Sequence, residues 1–135
     1  MIAIDTSVAV AAFASWHELH GPARALVDAG VRLIAHCGAE THSVLTRLPP
    51  PHRAAADVVR DYLGARFPEQ LLQLPPAAYR RFLHGLGDQQ LRGGATYDAL
   101  VAATAFYAGA ELASCDLRAL PIYERYGVRV RMLRG

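Results

Sequence analysis

Short apolar runs alternate with longer helical ones along the whole chain, and neither a linker nor an internal repeat interrupts them. Residues 1–4 read as a short buried strand and 6–14 as an apolar helix. A second helix over 22–29 is opened by Gly21-Pro22 and stopped by Gly30. A strand follows over 31–35, then a helix over 38–48 that Pro49-Pro50-Pro51 ends. Residues 53–66 have helical periodicity, with Ala56, Val59, Leu63 and Phe67 on one face. Residues 71–74 suit a short strand and 75–86 a helix. The segment 85–94 holds four glycines and reads as a flexible loop. The helix over 95–108 is so apolar that it must be buried on most sides. Strands over 111–114 and 128–132, with a helix between them, complete the pattern.

This alternation predicts a three-layer α/β domain, a parallel sheet covered by helices on both faces. Such sheets place their sites beyond the carboxyl ends of the strands, where the strand order reverses. At 135 residues and 53% hydrophobic, the chain suits a single domain over 1–135 with a real core. That composition excludes collagen-like, coiled-coil and disordered classes. No apolar run reaches the ~18 residues of a membrane span, and no basic region precedes the first apolar residues as in a signal peptide. Cys37 and Cys115 are too few for a disulfide framework. The expectation is a cytoplasmic, reducing setting with no membrane partner.

Charge changes the picture through its kind rather than its sum. All 14 basic residues are arginine, and lysine is absent. Arginine makes planar, two-pronged contacts with carboxylate or phosphate, although a simple compositional preference explains the bias equally well. The missing lysine excludes P-loop nucleotide binding and Schiff-base chemistry.

Most acids sit beside arginines at helical spacing or near helix ends, as Asp57 and Asp61 do beside Arg53 and Arg60. Four stand where an acid is expensive. Asp5 follows the first apolar strand, and Asp116 ends the strand around Leu112 and Ala113. Asp98 interrupts the most apolar helix, and Glu40 lies in the helix after the second strand. Singly, Asp5 and Asp116 suit helix N-caps, and Glu40 and Asp98 suit first helical turns. Together they converge on one sheet edge, where four carboxylates repel one another unless protons or cations compensate them. An all-oxygen set of that kind suits hard Mg²⁺ or Mn²⁺. His36, Cys37, Glu40 and His42 match no recognised zinc spacing.

Ile4-Asp5-Thr6-Ser7, the Glu40 helix, Tyr97-Asp98-Ala99-Leu100-Val101-Ala102-Ala103-Thr104-Ala105 and Ser114-Cys115-Asp116 together resemble the PIN-domain ribonucleases. The VapC-type toxins of bacterial toxin–antitoxin pairs match best, in motif order and overall length. The resemblance implies a PIN-like fold and a catalytic, metal-holding quartet of Asp5, Glu40, Asp98 and Asp116. It implies supporting hydroxyls at Thr6 or Ser7 and at Ser114, which stands where the usual motif has threonine. Cys115 within that motif is less usual. Also implied are Mg²⁺ or Mn²⁺ as cofactor, an RNA substrate of the tRNA or rRNA class, a VapB-type antitoxin and a homodimer. The helix over 6–14 carries Val8, Val10, Ala11, Ala12 and Phe13, with Trp16 just beyond. That exceeds what one sheet face uses, so part of it is expected to stay exposed for a partner.

Removing the quartet leaves 8 of the 12 acids against 14 arginines, a surface that attracts a polyanion. The competing reading is a non-catalytic RNA-binding or scaffolding domain with the same fold. A receiver-type signalling domain needs a lysine that is absent, and a haloacid-dehalogenase pattern needs Asp-x-Asp where Asp5-Thr6-Ser7 stands.

Overall fold

The computed structural model describes residues 1–134; Gly135, the last residue of the predicted domain span, lies outside the described residues. Four strands form one parallel sheet in the order β2-β1-β3-β4: β1 (Ile2–Ile4), β2 (Arg32–Leu33), β3 (Glu111–Ser114) and β4 (Val130–Met132). Ile4 lies opposite Leu33 on one side and Ala113 on the other. The chain leaves β1 first toward β2 and later returns on its opposite side as β3. The strand order therefore reverses at β1, and the crevice beyond its carboxyl end is the switch point of the sheet.

Among the described residues seven helices flank the sheet: α1 (Thr6–Phe13), α2 (His20–Ala29), α3 (Ala35–Thr46), α4 (Ala56–Arg66), α5 (Pro76–Asp88), α6 (Ala95–Tyr107) and α7 (Leu120–Arg125). The main core joins Ile4, Leu33 and Leu112 of the sheet to Val8, Val27 and Val101 of the helices. Each such side chain contributes about 1.5–3 kcal/mol on burial. Helix α6 buries Ala99, Leu100, Val101, Ala102, Thr104 and Ala105, as its composition predicts. A smaller cluster pins α5 to α6 through Phe82, Ala99 and Leu100.

Several expectations need correction. Helix α3 begins at Ala35 rather than residue 38, because β2 is only two residues long and the chain turns at Ile34. Residues 71–74 make a single parallel bridge, Ile34 with Leu72, instead of a strand. Helix α5 continues through Gly85 and Gly87 to Asp88, which shortens the expected glycine loop. Each helical glycine costs about 1 kcal/mol, and packing of Phe82 and Leu86 on the α6 cluster offsets it.

Helix α1 is also more enclosed than expected. Val8, Ala11 and Ala12 are buried, and Val10 and Phe13 are half-buried. The Tyr62 hydroxyl donates to the Ala9 carbonyl at 2.7 Å, and the Phe13 ring meets Tyr62 edge-on at 5.0 Å. Helix α4 thus supplies a cover for α1 that the local pattern did not show. Trp16 is 49% exposed and lies against His52. Open apolar surface lies elsewhere, and one part of it is a groove of about 860 Å³ between α3 and α4 lined by Leu33, Ala39, Leu63, Gly64, Phe67 and Leu71. No helix among the described residues is long and apolar enough to cross a membrane.

Candidate active site

Asp5, Thr6, Ser7, Glu40, Asp98 and Asp116 line one cleft at the switch point, together with Tyr97, Val101, Arg118 and Tyr123. Sequence positions more than a hundred residues apart meet there because β1 and β3 are neighbours in the sheet.

Asp5 is the fixed member. It is the N-cap of α1, its Oδ1 accepting the Val8 N–H at 3.2 Å and the Ser7 hydroxyl at 2.5 Å. Its Oδ2 accepts the hydroxyls of Ser114 at 2.6 Å and Tyr123 at 2.8 Å. Four donors hold a carboxylate that is only 3% exposed. Burial nevertheless dominates and raises its pKa above the ordinary carboxylate value, the hydrogen bonds pulling the other way. The same burial, with Asp5 beside it, raises the Tyr123 phenol, so that phenol stays a donor.

The two serines stitch the strand ends together. Ser7 donates to Asp5 and accepts the Cys115 backbone N–H at 2.8 Å. Ser114 donates to Asp5 and accepts the Asp116 N–H at 3.0 Å. Thr6 has a different partner, donating its hydroxyl to Glu40 Oε1. Glu40 is the sixth residue of α3, so it sits in the second turn, where little of the helix dipole reaches. His36 Nε2 lies 3.9 Å from its other oxygen, and the His36 ring stacks flat on Tyr97.

Asp98 lies in the first turn of α6, as expected. Asp116 is not the N-cap of α7, which starts four residues later; it caps a turn by accepting the Arg118 backbone N–H at 3.0 Å. The Arg118 guanidinium spans the two acids, at 3.0 Å from Asp98 Oδ2 and 3.1 Å from Asp116 Oδ2. Hydrogen bonding and charge from Asp98, then the charge of Asp116, raise the Arg118 pKa further.

The donor set fits a hard divalent cation in kind, since every acid and hydroxyl in the cleft offers oxygen. The cleft already holds a cationic group on two of its carboxylates, in the form of Arg118. No three His, Cys, Asp or Glu side chains among the described residues stand at the spacing of a closed metal site. The alternative zinc set is dispersed: Cys37 is fully buried in the core, and its thiol is raised by desolvation. Cys115 is half-buried with its thiol pushed up to about 11, mainly by burial, so neither cysteine is a ready thiolate.

Sequence reasoning missed Tyr123 and Arg118. Arg118 stands two residues after Asp116, a spacing that a turn brings face to face. Tyr123 left no local signal, because its link to Asp5 spans 118 positions.

The PIN domain family model matches residues 2–125. The chain is 51% identical over 133 residues to ribonuclease VapC40 of Mycobacterium tuberculosis, covering 98% of this chain and 99% of that protein. The fold is similar to that of FitAcB from Neisseria gonorrhoeae, with a TM-score of 0.66, 20% identity and 96% of each chain covered. It is also similar to VapBC2 from Rickettsia felis bound to a DNA fragment from their promoter. There the TM-score is 0.65 at 15% identity, covering 99% of this chain and all of that one. With the family model spanning nearly the whole chain and a relative at that identity, the chain belongs to the PIN domain family.

Proposed function

We propose that this chain is an endoribonuclease, the toxin of a toxin–antitoxin pair, which hydrolyses RNA phosphodiester bonds with Mg²⁺ or Mn²⁺. The observation that carries this reading is the meeting of Asp5, Glu40, Asp98 and Asp116 in one cleft at the sheet switch point. Identity to ribonuclease VapC40 over almost the full length supports RNA as the substrate. The fold it shares with VapBC2 agrees with an antitoxin partner.

Asp5, Asp98 and Asp116, with Glu40, are the residues that would hold the ion. A bound divalent ion supplies an acidified water and counter-charge for the phosphodiester. The chain's own residues do the rest. Ser7, Ser114 and Tyr123 fix the Asp5 carboxylate so that it does not turn away from the cleft. Thr6 fixes Glu40 in the same manner. The hydroxyls thus orient acids rather than attack phosphorus. With the four cleft acids compensated, the 14 arginines of the chain outnumber its remaining acids and attract the RNA backbone in a salt-sensitive way.

The antitoxin segment belongs in the apolar groove between α3 and α4. Helix α3 carries both Ala39 of that groove and Glu40 of the cleft, so one helix links the two. A homodimer is part of the same reading, and light scattering reads it directly.

The test is a structured RNA incubated with the purified chain. Cleavage with Mg²⁺ or Mn²⁺ that stops in excess chelator is expected. Undiminished cleavage in chelator overturns the metal mechanism. RNA bound but left whole under every divalent ion assigns the chain to the non-catalytic RNA-binding or scaffolding class.

A further inference from the structure

Arg118 is the one basic side chain among the described residues that pairs with the acid quartet through an arginine fork. It meets Asp98 through both terminal nitrogens, at 3.0 and 3.4 Å, and Asp116 at 3.1 Å. Its backbone N–H holds the other Asp116 oxygen at 3.0 Å, which ties the turn to the same carboxylate. The three side chains are unequally placed: Arg118 is 69% exposed, Asp116 32% and Asp98 14%. The guanidinium therefore lies on the solvent side of the acids, across the route by which an ion enters.

An exposed ion pair is weak, so this contact adds little to folding. Its effect falls on the cleft. Without a cation, Asp98 and Asp116 repel each other, and the guanidinium compensates both. A divalent ion uses the same oxygens, and two cations do not share them at close range. Because Arg118 is mostly in solvent already, releasing it strips no packing and buries no charge.

We propose that Arg118 is a displaceable counter-cation: it holds Asp98 and Asp116 while no divalent ion is bound and yields both carboxylates when one enters. This rests on the metal-dependent reading above. The affinity of the cleft for the ion is then set partly by a residue that never ligates it. It follows that removing the fork tightens ion binding even though a residue at the site is lost.

The experiment is Mn²⁺ binding by calorimetry, without RNA, to the wild type, Arg118→Gln and Arg118→Lys, with thermal melts to verify folding. Arg118→Gln is expected to bind Mn²⁺ roughly five-fold more tightly, the gain from losing an exposed competing pair. Arg118→Lys is expected to fall between the two, since a point charge does not span both acids. If Arg118→Gln binds no tighter than wild type, the proposal fails while the metal reading stands. A lysine variant that binds Mn²⁺ as tightly as Arg118→Gln also overturns it, because a retained cation then does not compete with the ion. If no variant binds Mn²⁺ at all, the metal reading and the proposal fall together.

Discussion

Asp5 and Ser114, 109 positions apart in sequence, are joined by a 2.6 Å hydrogen bond across the carboxyl ends of β1 and β3. The same serine hydroxyl accepts the Asp116 N–H at 3.0 Å, so one side chain sets two acids of the quartet. Ser114 is fully buried, and its loss leaves both partners short of a bond. Ser114→Ala is expected to cost about 1–3 kcal/mol of stability and to reduce RNA cleavage. Ser114→Thr, which keeps the hydroxyl, is expected to restore cleavage. Denaturant titration beside a cleavage assay checks both, and a fully active alanine variant contradicts the role.

Tyr123→Phe removes one of the four donors to Asp5 with almost no change of shape. A hydrogen bond to the charged carboxylate lowers its pKa, so its removal raises that pKa further. The acid limb of the cleavage–pH profile is therefore expected to move to higher pH. A phenylalanine variant with an unmoved profile shows that Tyr123 does not tune Asp5.

Asp5 also makes stability depend on pH. Its folded pKa stands above the unfolded value of 3.8 because of desolvation. Between those two values the folded state keeps a proton that the unfolded state has released. The Asp5 contribution to stability thus falls as pH rises through that window. Asp5→Asn removes the titrating charge, and its amide nitrogen cannot accept the two hydrogen bonds of the oxygen it replaces, a loss that does not vary with pH. In chelator the stability of wild type relative to this variant is therefore expected to rise on acidification. Denaturant titration of both chains across pH checks it, and a wild type that loses stability relative to the variant in acid contradicts the sign.

Gly64 lines the α3–α4 groove, and a side chain added there meets open space. Gly64→Glu puts a charge in the apolar groove without straining the fold. It is expected to weaken antitoxin binding by about tenfold, roughly 1.4 kcal/mol, with RNA cleavage unchanged. Titration with the product of the neighbouring reading frame measures it, and unaltered binding moves the antitoxin elsewhere.

The sheet and the acid quartet were legible because each rests on a local signal. Asp5 follows a short apolar strand directly, Asp116 stands two residues after another, and Asp98 breaks an otherwise apolar helix. What failed was set by distant packing. Gly85 and Gly87 read as a loop until Phe82 is seen against Leu100 of α6. Helix α1 looked too apolar for one sheet face until Tyr62 of α4 was found bonded to its backbone. Arg118 was one arginine among 14, and no periodicity separates a guanidinium that spans two acids from one in solvent.

The most direct test of the account is sequencing of RNA ends after brief expression of the wild type or of Asp98→Asn in cells lacking the antitoxin. Asparagine keeps the shape of Asp98 and removes the charge that a hard cation needs. New ends at discrete positions with the wild type, absent with a folded Asp98→Asn chain, are the predicted result. The same ends produced by both chains would contradict the assignment of RNA hydrolysis to this acidic cleft.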